Sequence, residues 1–152
     1  MEQDKKEQQL KTKFGRRMQR EHAMKIIYQS GFNSDFEEML SLYLEENNLD
    51  LLQMSYFGDI VKVFSENKPE IDRILESCLH GNWNIKRLSK IDLAILETAI
   101  ADLHYISTPY KVAINEAVEL AKKYSDENAF GFVNGVLKTY IKKYSEDISD
   151  EA

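Results

Sequence analysis

An all-α fold is what this sequence predicts, and three observations carry the prediction. Glycine and proline are scarce, six and two in 152 residues, so long stretches run without a turn-former. Aliphatic residues are abundant and fall at helical spacing; in the 112–121 segment Val112, Ala113, Ile114, Ala117, Val118, Leu120 and Ala121 form one broad stripe. Segments with the apolar–polar alternation of a half-buried strand are hard to find. The length suits one domain, or two small sub-bundles, and is enough to bury a real core.

The elements follow in order. The first ten residues, MEQDKKEQQL, are polar and are expected to fray. A first helix is predicted from about Arg16 to Ser30, ending at Gly31. A second covers about Asp35–Glu46, with Ser34 as its N-cap and Asp35, Glu37 and Glu38 suited to the positive end of the helix dipole. The polar Glu46-Asn47-Asn48 turn ends it. A third helix spans about Gln53–Glu66, and a fourth follows Pro69 to about Leu79. HGNWN at 80–84 is a break and the expected boundary between two sub-bundles. A fifth helix runs about Ser89–Tyr105, where Ser89 and Asp92 make an acidic variant of a capping box. The sixth and seventh, near 110–124 and 127–143, form a hairpin whose first turn accommodates Pro109, because a proline's missing N–H has no partner there. The expected organisation is therefore a flexible basic and polar arm (1–14), an N-terminal sub-bundle (15–80), a C-terminal sub-bundle (81–144) and an acidic disordered tail, SEDISDEA (145–152).

A single cysteine, Cys78, cannot form an internal disulfide and fits a reducing compartment. No apolar run approaches the length that crosses a membrane, and the start is charged, so a soluble cytoplasmic protein is expected. The net charge of −6 argues weakly against nucleic acid, but its distribution reverses that. Residues 1–25 hold eight Lys/Arg against four Asp/Glu, whereas residues 26–61 hold seven acids and no Lys or Arg. A basic arm on an acidic body is a charge map that suits a phosphate backbone.

The first helix carries the sharpest chemistry. Arg16, Arg17 and Arg20 stand three and four apart, which places their guanidinium groups on one side of its first turns, behind Lys11 and Lys13. Cations at that end oppose the helix dipole at roughly 0.3–1 kcal/mol each when exposed, and arginine is the side chain shaped to fork onto phosphate. Tyr28, further along the same helix, is placed to stack a base. An RNA site combining charge with an aromatic platform is one reading; a solvated basic face with Tyr28 in the core is the other, and these residues alone do not choose between them.

Other chemistry fades. Cys78 with His22, His80 and His104 offers one thiol and no recurring ligand spacing, so no metal is expected. Glu116 and Glu119 read as the wet face of a helix near Lys122 and Lys123 rather than as an acid/base pair. Phosphate-cradling glycine loops are absent, and no catalytic residue or cofactor is expected. Gly131 and Gly135 sit inside a helical pattern at about 1 kcal/mol each, which close helix–helix approach or an exposed docking surface would justify.

The sequence resembles the NusB family of bacterial transcription antitermination factors. The resemblance rests on GRRMQREHAMKIIYQ (15–29), YFGDIV (56–61), RLSKIDLAIL (87–96), PYKVAINEAVELAKKY (109–124) and FVNGVL (132–137), which occur in the family's order and spacing and cover nearly all of the chain from Gly15 to Lys143. A relative of the family is fused to RNA cytosine methyltransferases, but no residues remain here for a catalytic domain, so no enzyme is expected.

The resemblance implies two three-helix bundles with a connecting helix, binding of boxA RNA together with the ribosomal protein NusE, and read-through by RNA polymerase in ribosomal RNA operons. It assigns Arg16, Arg17, Arg20 and Tyr28 to the RNA side, joined by Lys11 and Lys13 of the arm. Asp92, Asn128 and Phe132 fall on the side where NusE approaches. A homodimer is also open to bundles of this kind. The reading from residues alone leaves a second function, a helical protein-docking adaptor without direct RNA contact. The chain departs from the family's pattern at Leu96-Glu97, where Leu-Arg is common, and at Ala101-Asp102, where an aromatic-Glu pair is common. It departs again at Asn128-Ala129, in place of an acidic-Ser pair, and at Gly131, where many members carry Lys or Arg.

Overall fold

The computed structural model describes residues 2–5, 15–32 and 35–144. Lys11, Lys13, Ser34 and the acidic segment 145–152 lie outside the described residues. Residues 2–5 are helical rather than frayed. The chain then forms α1 (Arg16–Ser30), α2 (Phe36–Glu46), a 3-10 turn (Leu51–Gln53), α3 (Ser55–Ser77), a second 3-10 turn (Ile85–Arg87), α4 (Lys90–Ile100), α5 (Tyr110–Tyr124) and α6 (Ala129–Lys143). Between α4 and α5 the helix continues as a π-helical turn, Ala101–Ile106. There is no strand among the described residues.

Local chemistry sets these boundaries. The cap of α2 is Asp35 rather than Ser34: the Asp35 carboxylate accepts from the Glu38 N–H at 3.1 Å, satisfying one of the unpaired donors of the first turn. Ser89 caps α4 through the Asp92 N–H at 3.1 Å. The Asp92 carboxylate itself is turned to Ser125, whose hydroxyl donates to it at 2.5 Å, so Asp92 fastens the start of α4 to the turn between α5 and α6. Pro109 is the residue before α5 rather than its first helical position.

The two predicted helices, 53–66 and 69–79, are both present: α3 is two helical stretches that meet at a kink. Pro69 cannot donate to Ser65 and crowds that carbonyl. The strain surfaces at Asn67 (φ −128°, ψ 19°), whose side-chain amide donates to the Val63 carbonyl at 2.9 Å and replaces part of the lost ladder. The π-helical turn sets the direction of an acid. It aims Asp102 into the core and ends at Ser107 in the left-handed region (φ 63°), with the Thr108 N–H returning to the Asp102 carbonyl at 3.2 Å.

α1 packs against both α3 and α4, and α5 and α6 lie against each other as a hairpin joined to the rest through α4. One hydrophobic core runs through both halves, from Met24, Ile27, Phe57 and Phe64 to Ile95, Leu103, Leu137 and Tyr140, and is continuous across the 80–84 break.

Candidate nucleic-acid interface

α1 begins at Gly15 without a side-chain cap and carries no acid in its first turn, so the positive end of its dipole and two arginines face the same region. The three arginines do not share one exposed side. Arg16 is exposed, its guanidinium 4.8 Å from the Tyr56 ring centroid. Arg17 is 72% exposed and makes a two-pronged pair with Glu116 of α5, Nε to Oε2 at 3.0 Å and Nη2 to Oε1 at 2.9 Å. Arg20 is turned inward with 5% exposure. Its position one turn on from Arg16 lies over α3 and the π-helical turn, where an acid waits for it.

That acid is Asp102, fully buried. Arg20 Nε donates to Asp102 Oδ2 at 3.0 Å and Arg20 Nη2 to the Tyr56 hydroxyl at 2.6 Å. The Tyr56 hydroxyl in turn donates to Asp102 Oδ1, as does Thr108 at 2.5 Å. Burial works against the Arg20 charge, but the Asp102 carboxylate outweighs it and holds the guanidinium protonated. Burial and then Asp102 push the Tyr56 phenol well above its usual range, which keeps it a proton donor. Nothing in the local spacing of either segment announced this pair: its members are 82 positions apart.

The rest of α1 is tied to α5. Glu21, nearly buried, accepts from Lys123 at 2.7 Å and from the Tyr124 hydroxyl. Burial alone would raise its pKa, but those two donors win and lower it. His22 bonds the Tyr43 hydroxyl at 2.6 Å, and burial, followed by Lys25, lowers its pKa. Tyr28 is half-buried, edge-on to Phe32 at 5.3 Å. With Met24, Lys25, Ile91 and Tyr124 it lines a hollow of about 380 Å³. Tyr28 is thus neither in the core nor beside the arginines: eleven or twelve helical residues, about 17 Å at 1.5 Å each, separate it from Arg16 and Arg17.

Of the residues singled out for partner binding, Asp92 lies beside that second end: it follows Ile91 of the hollow and is bonded to Ser125. Asn128 is exposed at the start of α6, its side chain making no cap hydrogen bond. Phe132 is half-buried against Trp83, ring centroids 5.3 Å apart, and the Arg87 guanidinium lies 5.5 Å from the Trp83 ring. Trp83 and Arg87 were missed from sequence because HGNWN reads as a turn. The signal was there: a tryptophan in a polar turn with an arginine four residues on, and Trp83 is 49% exposed.

Two other expectations are settled. An added Cβ at Gly131 or Gly135 meets nothing within 4 Å, so close helix packing does not explain either glycine; both lie on an exposed face. Glu116 is Arg17's partner rather than part of a wet face, whereas Glu119 does sit beside Lys122 at 3.6 Å. No group of three or more His, Cys, Asp or Glu among the described residues is arranged to hold a metal. Glu97, where the family's pattern carries arginine, is buried beside Lys68 (3.3 Å), which also pairs with Asp72 at 2.5 Å. Burial and then Asp72 push the Glu97 carboxyl far above its usual range. Asp72 Oδ1 beside it is buried and has no hydrogen-bond partner among the described residues.

The fold and these surfaces define a class: a small all-helical binding protein with a basic helix start and a separate aromatic and polar face. The NusB family model matches residues 17–142. The chain is 45% identical over 130 residues to the transcription antitermination protein NusB of Acetivibrio thermocellus, covering 84% of this chain and 89% of that one. It is 42% identical over 131 residues to its counterpart in Clostridium novyi, covering 84% and 98%. Among solved structures, T. maritima NusB superposes with a TM-score of 0.76 at 32% identity, covering 84% of this chain and 91% of that one. A crystal structure of NusB and NusE in complex with double-stranded RNA matches with a TM-score of 0.76 at 29% identity, covering 85% and 97%. The chain belongs to the NusB family. Among the described residues no helix is long and apolar enough to cross a membrane.

Proposed function

We propose that this protein is a bacterial RNA-binding transcription antitermination factor of the cytoplasm, binding boxA-type RNA together with the ribosomal protein NusE and promoting read-through in ribosomal RNA operons as part of an RNA polymerase complex. It acts by binding, not by catalysis. The observation that carries the reading is the likeness over most of the chain to a family member solved with both NusE and RNA, joined to an α1 that starts with two outward arginines and no acid.

Arg16 and Arg17 take the phosphates, with Lys11 and Lys13 extending the contact. Arg17 exchanges Glu116 for phosphate, a swap that exposure makes inexpensive. Arg20 serves the RNA side as a positioning residue: with Tyr56 it sets the height and direction of the first turn. Tyr28 and the Phe132–Trp83 pair supply flat surface for bases or for apolar side chains, and Asp92 and Asn128 supply the polar contacts to NusE.

A gel-shift titration of a boxA-like RNA, with and without NusE, tests this. Binding is tighter with NusE than without it; no RNA shift and no NusE complex at low salt sinks the proposal. Reversing charge at Arg16→Glu and Arg17→Glu separates it from a docking adaptor without RNA contact. RNA binding is lost while NusE association persists, and replacing Arg16 alone by Ala lowers the salt slope of log K by about one.

A further inference from the structure

On the face of the α5–α6 hairpin turned away from the core lies a groove of about 600 Å³. Ile114, Val118 and Ile141 form its floor, and Lys111, Lys122, Lys138 and Lys142 stand along it; among the described residues no Asp or Glu lines it. Lys122 reaches Glu119 at 3.6 Å and lies 5.3 Å from the Phe130 ring; the other three lysines form no ion pair among the described residues. Gly131 and Asn134 line the groove too, which gives Gly131 a role that helix packing does not: it leaves the groove open.

Four lysines over an apolar floor call for an occupant that is acidic with an apolar residue between its charges. The chain contains one at the right place. Residues 145–152, which follow α6 three residues after Lys142, carry Glu146, Asp147, Asp150 and Glu151, with Ile148 in the middle and no Lys or Arg. Lys111 and Lys122 are eleven positions apart on α5, about 16 Å along a helix. Eight extended residues span up to about 26 Å. The segment is long enough to fold back along the groove and set four carboxylates against four ammonium groups.

We propose that residues 145–152 dock in the α5–α6 groove of the same molecule, Ile148 on the apolar floor, and shield its lysines from non-specific phosphate. Exposed ion pairs are individually weak and screened by salt, so the docking is reversible and salt-sensitive. What makes it effective is the short tether, which holds the segment at millimolar local concentration.

A nitroxide at Ser149→Cys in the full chain, with Cys78 buried and out of the reagent's reach, reads the docking by paramagnetic broadening of amide signals. At 50 mM salt the amides of Lys122 and Gly131, at the far end of the groove, broaden more than that of Gly81, beside the other flank of the α6 C-terminus. The broadening persists on tenfold dilution and disappears in 1 M salt or in the triple variant Lys111→Glu, Lys138→Glu, Lys142→Glu. Equal broadening of Gly81 and the groove, or broadening unaffected by salt and charge reversal, overturns the proposal. So does broadening seen only between a labelled and an unlabelled chain, which assigns the groove to a second copy. Removing residues 145–152 tightens binding of poly(U) at 50 mM salt at least threefold; an unchanged affinity refutes the shielding.

Discussion

Replacing Arg20 by Met tests whether the first helix is anchored by a buried charge. The substitution keeps the stem's volume but leaves Asp102, fully buried, with only the Tyr56 and Thr108 hydroxyls. Removing one partner of a buried pair costs about 3–5 kcal/mol, because the remaining charge is uncompensated. That is a large share of the roughly 5–15 kcal/mol typical of a domain. At about 2–4 °C per kcal/mol for a chain of this size, the midpoint of thermal unfolding falls by roughly 6–20 °C. Asp102→Asn strands the Arg20 charge and costs a similar amount. The double variant loses less than the two singles added together, because neither ion is then left alone. Thermal and urea unfolding followed by circular dichroism measure all three. A loss below about 1 kcal/mol for Arg20→Met, or strict additivity in the double variant, refutes the anchoring argument.

Two further predictions concern stability. Glu21 and Glu97 respond to pH with opposite signs: the folded state lowers the Glu21 pKa, so its contribution is present above the ordinary carboxylate range and fades as pH falls through the lowered value. It raises the Glu97 pKa, so that contribution is full in acid and fades as pH rises toward the raised value. Glu21→Gln therefore destabilises at pH 7 and less so in acid, whereas Glu97→Gln gains on the parent chain as pH rises from 4 to 9, read as unfolding midpoints across that range. Gly135→Ala adds a methyl group that meets nothing within 4 Å in mid-helix and stabilises by about 0.5–1 kcal/mol, raising the unfolding midpoint by about 1–4 °C; an unchanged or lower midpoint contradicts the open face found there.

Element existence was legible in this chain because it depends on local patterns. The stripe from Val112 to Ala121, the Ser89 cap and the scarcity of glycine each act within a turn or two of helix. What escaped depended on distant partners. Arg20 looks like Arg16 and Arg17 until α3 and the π-helical turn bring Tyr56 and Asp102 to it. Glu116 looks like a wet residue until Arg17 arrives from 99 positions away. The α3 kink was legible, because its cause is local: Pro69 announced the break, and helical geometry is lost two residues before it, at Asn67.

The same distant partners explain why a helix can afford to begin with arginines. An uncapped start with two cations in its first turn is unfavourable by itself, and α1 is held in spite of it. The Tyr56 ring is the hinge of the arrangement: Arg16 and Arg20 lie 4.8 Å and 5.0 Å from its centroid, and its hydroxyl closes the bond to Asp102. The inward arginine is neutralised and the outward one rests on an aromatic ring, which attracts a cation without cancelling its charge. Under the proposed function, an Arg16 that already rests on Tyr56 with its charge intact meets a phosphate at a lower cost of ordering. The buried network and the exposed surface are two ends of one device, with the stability of the first setting the geometry of the second.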